Sequence, residues 1–294
     1  MRNLKRVLAL ALALVMTLGL LIIGSSAASY TDAAQIDDDY AEAIEVLTGM
    51  GVFQGMEGNA FSPNTILTRA QASALVYRIL TGDVTDAKVD LYDYKSFNDV
   101  PAGKWFTGYV TYAANGGYIK GWQGNFDPDA QVTGVQVLAI MLRAIGYGQN
   151  GEFDGAAWKD NTLTTAQDLG LLANIDIKSL DNGAPRQLVA QLLFNAITGP
   201  AMVTYSTALG YVETKSPLGV LSSKNPSLGY KIFGLEKTSG VIDAVGRKAG
   251  TTTLIDESTA ANGTELSPVV TVTGTNTPWT DIGYGAYVWT VATT

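Results

Sequence analysis

The chain of 294 residues contains 19 Lys and Arg, 27 Asp and Glu, and neither His nor Cys. This acidic balance argues against nucleic acid as a partner, because phosphate binding needs a basic surface. Without His and Cys the chain has no Ser-His-Asp or Cys-His nucleophile system, no usual zinc site and no disulfide, but a hydrolase with paired carboxylates remains open.

The first predicted element is a secretory signal peptide. Three basic residues precede an apolar run over residues 7–23, which ends at the small residues Ser26 and Ala28. We predict cleavage after Ala28, which gives a signal peptide of residues 1–28. The mature chain then has a net charge of −11, from 16 basic and 27 acidic residues, and no membrane segment. The alternative is an uncleaved membrane anchor, because the run is just long enough to span a bilayer.

Three similar units follow, which we place at residues 31–82, 95–147 and 150–199. Five residues of the first unit recur 65 positions later in the second: Phe61, Pro63, Thr68, Gln71 and Arg78 match Phe126, Pro128, Thr133, Gln136 and Arg143. In the third unit Trp158 stands twelve residues before Gly170, as Trp105 stands twelve before Gly117. After a shortened loop, Arg186 takes the place of Arg69.

Each unit is predicted to form two helices. The later helices show apolar residues at helical spacing: Ala72, Val76, Ile79 and Leu80; Leu138, Met141, Leu142 and Ile145; Val189, Leu192, Leu193 and Ala196. The earlier helices end at Gly51, Gly117 and Gly170, because glycine readily adopts the left-handed conformation that closes a helix. Thr68 with Gln71, and likewise Thr133 with Gln136, predict capping boxes. One hairpin cannot bury its own apolar stripe, so the three units are expected to pack together.

The stretches "FNDV", "KW", "GGYIKG", "FDP" and "VTGVQ" in the second unit resemble a surface-layer homology (SLH) repeat. Three such repeats after a signal peptide are the family's usual arrangement. The resemblance implies a mainly α fold of three helical hairpins in a pseudo-threefold bundle. It also implies non-covalent binding of a secondary cell-wall polymer, often one with pyruvylated N-acetylmannosamine, in grooves between repeats. The residues alone are equally compatible with a generic helical domain of three repeats.

The resemblance therefore implies a secreted surface protein of the cell wall or S-layer of a Gram-positive-type bacterium, without catalysis by the repeats. Self-assembly into a surface lattice is compatible with this role. No cofactor, metal site or catalytic residue is predicted.

A pyruvylated sugar requires a cation for its carboxylate, an aromatic face for its ring and backbone donors exposed by glycines. The predicted polymer-binding residues are Arg69, Arg186, Trp105, Trp122, Trp158, Gly117 and Gln71. Each of the two arginines lies in the first turn of a helix, whose amides also favour an anion; the alternative is an ordinary surface charge. For Trp105 and Trp158 the alternative is core packing between repeats, whereas Trp122 in its glycine-flanked loop is expected to be exposed.

Several positions depart from the repeat pattern. Asp39 replaces the tryptophan in the first unit, Gly134 replaces the arginine in the second, and Pro185 and Leu188 replace the threonine and the acidic residue in the third. At most two of three grooves therefore carry an arginine. Because the arginine is not needed for the helix cap, we expect Gly134 to replace it without harm to the fold. Asp99 in "FNDV" either caps the following turn or contacts polymer.

The last hundred residues change in composition. We predict a linker over residues 200–228 and a small β-rich module over 229–294, based on strand-like runs such as "SPVVTVTG" and "YGAYVWTVATT". The last run breaks off at the chain end, so we expect either a truncated module or a short member of the family. Its acidic residues are scattered: Asp243, Asp256, Glu257, Glu265 and Asp281. The sequence favours a non-enzymatic anchor; the alternative is an SLH-anchored carbohydrate-active enzyme whose catalytic part is this region or is missing from the chain.

Overall fold

A computed structural model describes residues 30–214, 227–246, 251–255, 265–266, 270–271 and 285–291. The predicted signal peptide lies outside the described residues. The chain divides into two compact units, of which one ends at Glu236 and the other begins at Lys237. The two units are described separately below.

The first unit is helical, as predicted. Its described residues contain seven α-helices: α1 (Ala41–Gly49), α2 (Arg69–Thr81), α3 (Thr107–Asn115), α4 (Gly134–Ala144), α5 (Trp158–Asp168), α6 (Arg186–Thr198) and α7 (Leu228–Phe233). Helices α1 to α6 are three successive pairs, one in each predicted unit. No helix in the described part of the chain is both long and apolar enough to cross a membrane.

The helix ends follow the local signals of the sequence. Thr68 caps α2 and Thr133 caps α4, each in a complete capping box with the glutamine three residues later. Helix α6 begins after Pro185 and has no side-chain cap. Gly51, Gly117 and Gly170 follow the earlier helices with φ angles of 78°, 71° and 71°. The predicted capping boxes and glycine closures are thus confirmed.

The segments that lead into α2, α4 and α6 pair with one another in a closed ring. The backbone N–H of Leu67 donates to the carbonyl oxygen of Ala184 at 3.1 Å, Val132 donates to Leu67 at 3.0 Å, and Ala184 donates to Val132 at 2.8 Å. All three side chains are buried. The ring supports a threefold arrangement of the units, which remains a prediction for the bundle as a whole.

The helices also pack across unit boundaries in a cyclic order. Helix α2 packs on α3, α4 packs on α5, and α6 packs on α1, so each later helix contacts the earlier helix of the next unit. Between the first two units this contact buries an apolar cluster that contains Val76, Val110, Phe126 and Ile140. The third unit closes onto the first, because α6 packs on α1. No unit therefore buries its apolar surface alone.

The predicted linker, residues 200–228, holds ordered structure in its described part. Strands β1 (Val203–Ser206) and β2 (Gly210–Glu213) form an antiparallel hairpin with Val203 opposite Glu213. The hairpin lies against the turn after α4, where the Val203 N–H donates to Ile145 O at 2.9 Å. A Cβ on Gly146 would lie 1.9 Å from Val203 O, so only glycine fits there. Helix α7 then packs on α6 and α2 and buries Leu228.

The second unit contains β3 (Glu236–Gly246), β4 (Thr251–Ile255), β5 (Glu265–Leu266), β6 (Val270–Thr271) and β7 (Gly285–Thr290). They form one sheet in the order β5-β4-β3-β7-β6. The region is therefore β-rich, as predicted. The side chains of its five acidic residues named above lie outside what the structure describes.

Candidate functional site

Two grooves lie between the helical units. Groove A, with a cavity of about 240 Å³, is lined by Leu67, Gln71, Ala74, Leu75, Arg78, Trp105, Tyr109 and Arg186. Groove B, with a cavity of about 710 Å³, is lined by Arg69, Ile119, Lys120, Gly121, Trp122, Gln136, Ala139, Ile140, Arg143, Phe153, Asp154, Gly155 and Trp158. Each groove combines residues from all three units.

The two grooves share one construction. Five positions correspond: Gln71 with Gln136, Ala74 with Ala139, Arg78 with Arg143, Trp105 with Trp158, and Arg186 with Arg69. In groove A, helix α2 forms the wall and α6 supplies Arg186 from its first turn. In groove B, helix α4 forms the wall and α2 supplies Arg69 from its first turn. The next unit in the cyclic order supplies the tryptophan. The sequence predicted both arginines and both tryptophans, and the structure brings them together in pairs.

Arg186 is the more deeply placed arginine, in groove A. It is 9% exposed, and its guanidinium carbon lies 4.7 Å from the ring centre of Phe53 and 4.9 Å from that of Phe61. Its Nη2 donates to Gln54 O at 2.7 Å, and its Nε has no partner among the described residues. Burial lowers the pKa of Arg186 to about 10, so it stays cationic at neutral pH. This is no ordinary surface charge.

Arg69 ties two units together while it lines groove B. Its Nε donates to Phe126 O at 2.8 Å, its Nη2 donates to Lys120 O at 2.9 Å, and its guanidinium lies over the Phe126 ring at 4.6 Å. Burial lowers the pKa of Arg69, and the nearby carboxylates of Asp127 and Asp99 oppose that shift. The side chain therefore has a structural task in addition to its positive charge.

The second arginine of each groove was missed by the sequence prediction. Arg78 Nη1 reaches Val52 O and Arg143 Nη1 reaches Tyr118 O, each at 3.4 Å. In the third unit Asn195 donates to the equivalent carbonyl, that of Leu171, at 2.9 Å. These bonds fix the turn that follows each closing glycine. The sequence did hold a signal for these two arginines, because Arg78 and Arg143 match each other at the repeat spacing of 65 residues.

All three predicted tryptophans line a groove. Trp105 is 62% exposed at the edge of groove A, which overturns the alternative that it is core. Trp158 is the first residue of α5 and is partly buried in groove B. Trp122 is 76% exposed, as predicted. Its backbone N–H donates to Asn125 O at 2.8 Å across a tight turn. Aromatic faces are thus available in both grooves.

The other two predicted residues have local structural tasks. Gln71 lines groove A, but its Oε1 accepts the Thr68 N–H at 2.9 Å in the capping box. Gly117 closes α3 in the left-handed conformation and lines neither groove A nor groove B. Polymer contact by either residue remains a prediction.

Asp99 caps a loop. Its carboxylate accepts the backbone N–H groups of Phe126 and Asp127 at 2.8 and 2.7 Å. Burial raises the pKa of Asp99, but these bonds outweigh burial and hold the pKa below its usual value. Asp32 accepts the N–H groups of Phe61 and Ser62 in the same way, both at 2.7 Å. Asp99 thus caps a loop 27 residues further along the chain and not the turn that directly follows it, and its contact with polymer remains a prediction.

At Gly134, the position that corresponds to Arg69 and Arg186, Leu180 lies directly against the start of α4. A Cβ on Gly134 would lie 2.6 Å from Leu180 Cδ2 and 3.0 Å from Leu180 Cα, and Val135 N–H donates to Leu180 O at 3.0 Å. The shortened loop of the third unit brings Leu180 into the space that an arginine would need. As expected, Gly134 stands in the arginine position without harm to the fold, because the helix keeps its complete capping box. Glycine is also the residue that fits here, since a Cβ would crowd Leu180.

The chain is similar to known surface proteins. The S-layer homology domain family matches residues 29–73 and 96–137. A "Cell surface protein" of Thermoanaerobacter kivui is 28% identical over 220 residues, which are 74% of this chain and 27% of that protein. The "Middle cell wall protein" of Brevibacillus brevis is 26% identical over 212 residues, 71% of this chain and 20% of that protein.

An enzyme is also among the relatives. The "Amylopullulanase" of Thermoanaerobacterium thermosulfurigenes is 26% identical over 159 residues, 53% of this chain and 8% of that protein. The chain thus spans about a quarter or less of the length of these relatives. The family matches the first and second predicted units, and a third repeat remains a prediction from the sequence pattern. The chain thus contains S-layer homology domain sequence over residues 29–73 and 96–137.

Proposed function

We propose that the chain binds an acidic cell-wall polysaccharide in grooves A and B and is thereby held at the cell wall without a covalent bond. The observation that carries this proposal is Arg186. A buried guanidinium that packs against two aromatic rings, with an Nε–H that has no partner among the described residues, is energetically costly unless it serves a ligand or a network. It lies in a groove beside the exposed ring of Trp105.

The charge pattern supports an anionic ligand. The chain carries a formal net charge of −8, yet each groove places two arginines together. Such a local concentration of cations attracts an anion that the rest of the surface repels. The planar guanidinium binds a carboxylate through two parallel hydrogen bonds, and a tryptophan face packs on the apolar face of a sugar ring.

A pyruvylated secondary cell-wall polymer meets these requirements, because its ketal supplies a carboxylate on a sugar ring. The names of the relatives, a cell surface protein and a middle cell wall protein, support placement at the cell wall. We propose that the wall is that of a Gram-positive-type bacterium. Grooves A and B bind, whereas the position that corresponds to their first-turn arginine is Gly134 in the third unit interface, so one chain engages two sites on the polymer. This gives avidity from two individually weak contacts.

Sedimentation with purified cell-wall sacculi tests the proposal. We expect the mature chain to sediment with intact sacculi and to stay in solution after the secondary polymer has been extracted. Replacement of both groove tryptophans, Trp105→Ala with Trp158→Ala, is expected to weaken binding about tenfold or more, since each removes an aromatic contact. Leu209→Ala, at an exposed leucine outside both grooves, is the control and should bind as the parent does.

The outcomes separate the parts of the proposal. Sedimentation that persists after polymer extraction would contradict the polymer as ligand. Unchanged binding by the double tryptophan variant would place the site outside the two grooves. Ordered arrays in electron micrographs of the purified chain would show the additional property of lattice assembly.

The second candidate is a carbohydrate-active enzyme anchored by the same domains. It is favoured by the relatives named "Amylopullulanase" and "Exoglucanase XynX", of which this chain matches 8% and 14%. We propose that the present chain is the anchoring part and has no catalytic activity. Release of reducing sugar from starch or xylan by the purified chain would contradict this.

A further inference from the structure

Each of the two connections between the helical units contains an aspartate that contacts an arginine lining a groove. After α2, Asp86 accepts Arg78 Nε at 2.9 Å through Oδ1 and binds the same guanidinium through Oδ2. After α4, Asp154 lies 3.6 Å from Arg143 Nη2 and accepts Lys120 Nζ at 2.7 Å through both of its oxygens. Asp154 itself lines groove B, whereas Asp86 contacts Arg78 without lining groove A.

The two carboxylates differ in accessibility. The Arg78 and Asp86 side chains are only 13% and 20% exposed, so this pair is largely shielded from solvent. Lys120 and Asp154 are 56% and 43% exposed at the surface of groove B. An exposed pair contributes little to stability and its partners separate readily. Asp154 is thus the carboxylate that a ligand can displace.

Asp154 also departs from the aspartates at the corresponding place in the other units. Asp32 and Asp99 are used by backbone N–H groups of the loops that they cap. In the third unit that loop is shortened, and Asp154 directly follows its phenylalanine, whereas Asp99 stands two residues after Phe97. The Asp154 carboxylate instead contacts Lys120 and Arg143. These are two cations of groove B to which an anionic ligand would also bind.

We propose that Asp154 is an internal competitor of groove B: its carboxylate occupies the cations in the empty groove and is displaced when an anionic saccharide binds. The inference rests on the proposed function. An acidic saccharide must exchange its carboxylate for that of Asp154 at Lys120, so part of its attraction to the groove is cancelled. A neutral saccharide makes no such exchange. Asp154 thereby sets both the affinity and the charge selectivity of groove B.

Calorimetric titration of the mature chain in a Trp105→Ala background, which weakens groove A, tests this inference. The probes are the methyl glycosides of pyruvylated N-acetylmannosamine and of N-acetylmannosamine itself. We expect Asp154→Asn to bind the acidic probe about three- to tenfold more tightly at low salt, a gain that falls as salt screens the charges. Affinity for the neutral probe should stay within about twofold.

Two further variants define the cause of the gain. Asp160→Asn removes an equal charge from an exposed position on α5 and should leave both affinities unchanged. Adding Lys120→Met to Asp154→Asn should abolish the gain, because the released lysine is its source. Thermal unfolding of Asp154→Asn should stay close to that of the parent, since the pair is exposed.

The results distinguish this inference from the proposed function. If the parent binds the acidic probe and Asp154→Asn binds it no more tightly, the inference fails and the proposed function stands. An equal gain with Asp160→Asn, or with the neutral probe, likewise overturns it. If neither the parent nor any variant binds the acidic probe, the proposed function fails for groove B, and the inference fails with it.

Discussion

Glu45 on α1 shows how a single carboxylate couples the stability of the bundle to pH. Its Oε2 is buried without a hydrogen-bond partner among the described residues. Burial raises the pKa of Glu45 to about 7, and the neighbouring Glu42 adds to the shift. The native state therefore holds this proton more strongly than the unfolded chain does. The corresponding stability is fully present below the ordinary pKa of 4.5 and is lost as the pH rises through about 7.

Glu45→Gln removes this titration. We expect the variant to be about 1–2 kcal/mol more stable than the parent at pH 8 and nearly equal to it at pH 4.5, as measured by denaturant unfolding. The value is below the full effect of the shift because the carboxylate is partly solvated. Glu57→Gln, at an exposed glutamate, is the control and should change the free energy of unfolding by no more than about 0.5 kcal/mol. A constant difference for Glu45→Gln across pH would contradict the prediction.

The sequence was sufficient to predict Arg69, Arg186 and the three tryptophans as groove residues. They stand at motif positions in the first helical turn or in a loop, and the spacing of these positions is similar from repeat to repeat. The sequence could not show that Arg69 bonds to carbonyl groups of the next unit, since these lie 51 and 57 residues away. Asp154 escaped notice for the same reason, as Lys120 is 34 residues distant. Contacts between distant residues leave no local pattern.

At the scale of elements, α4 begins in direct contact with the third unit. Gly134, its first residue, faces the backbone of Leu180. The helix bounds and caps were predictable, because capping residues, closing glycines and apolar periodicity are local signals. The pairing of each later helix with the next unit was not, since it depends on the packing of complete helices. The hairpin β1–β2 escaped prediction because its short strands lack a distinctive pattern.

Gly134→Ala and Gly134→Arg test this contact. An alanine would favour the helix by about 1 kcal/mol on intrinsic propensity alone. We nevertheless expect both variants to be destabilised by about 1–3 kcal/mol, with arginine the worse, because overpacking at Leu180 outweighs propensity. Denaturant unfolding measures this. An alanine variant as stable as the parent would show that Leu180 can move aside. Restoring the arginine is not expected to create a third binding groove.

At the scale of the whole molecule, the helical unit extends past the last repeat. The repeat pattern ends at residue 199, but the hairpin and α7 bury Val203, Leu228 and Leu235 in the same unit, which ends at Glu236. Sequence composition marked residues 200–228 as a linker because the helical periodicity stops there. The contacts that hold this segment come from residues far earlier in the chain, such as Ile145 and Gly82.

A fragment of residues 30–199 is therefore expected to be less stable than one of 30–236. Each large apolar side chain that loses burial costs about 1.5–3 kcal/mol, so we expect a total loss of about 3 kcal/mol or more in denaturant unfolding. A fragment of residues 30–214, which keeps the hairpin but not α7, should lie between the two. Equal stability of the shortest and longest fragments would show that the segment is an independent addition.

The docking of α6 on α1 also determines when the bundle can fold. It joins the two ends of the repeat region, and the hydrogen bond from Asp37 N–H to Gln187 Oε1 spans 150 residues. Closing so long a loop has a high entropic cost that is recovered only when the final contact forms. In a chain that is synthesised from its N-terminus, α1 is present long before its partner helix α6 has been made. Folding is then a single late event, completed only when α6 arrives, rather than three successive steps.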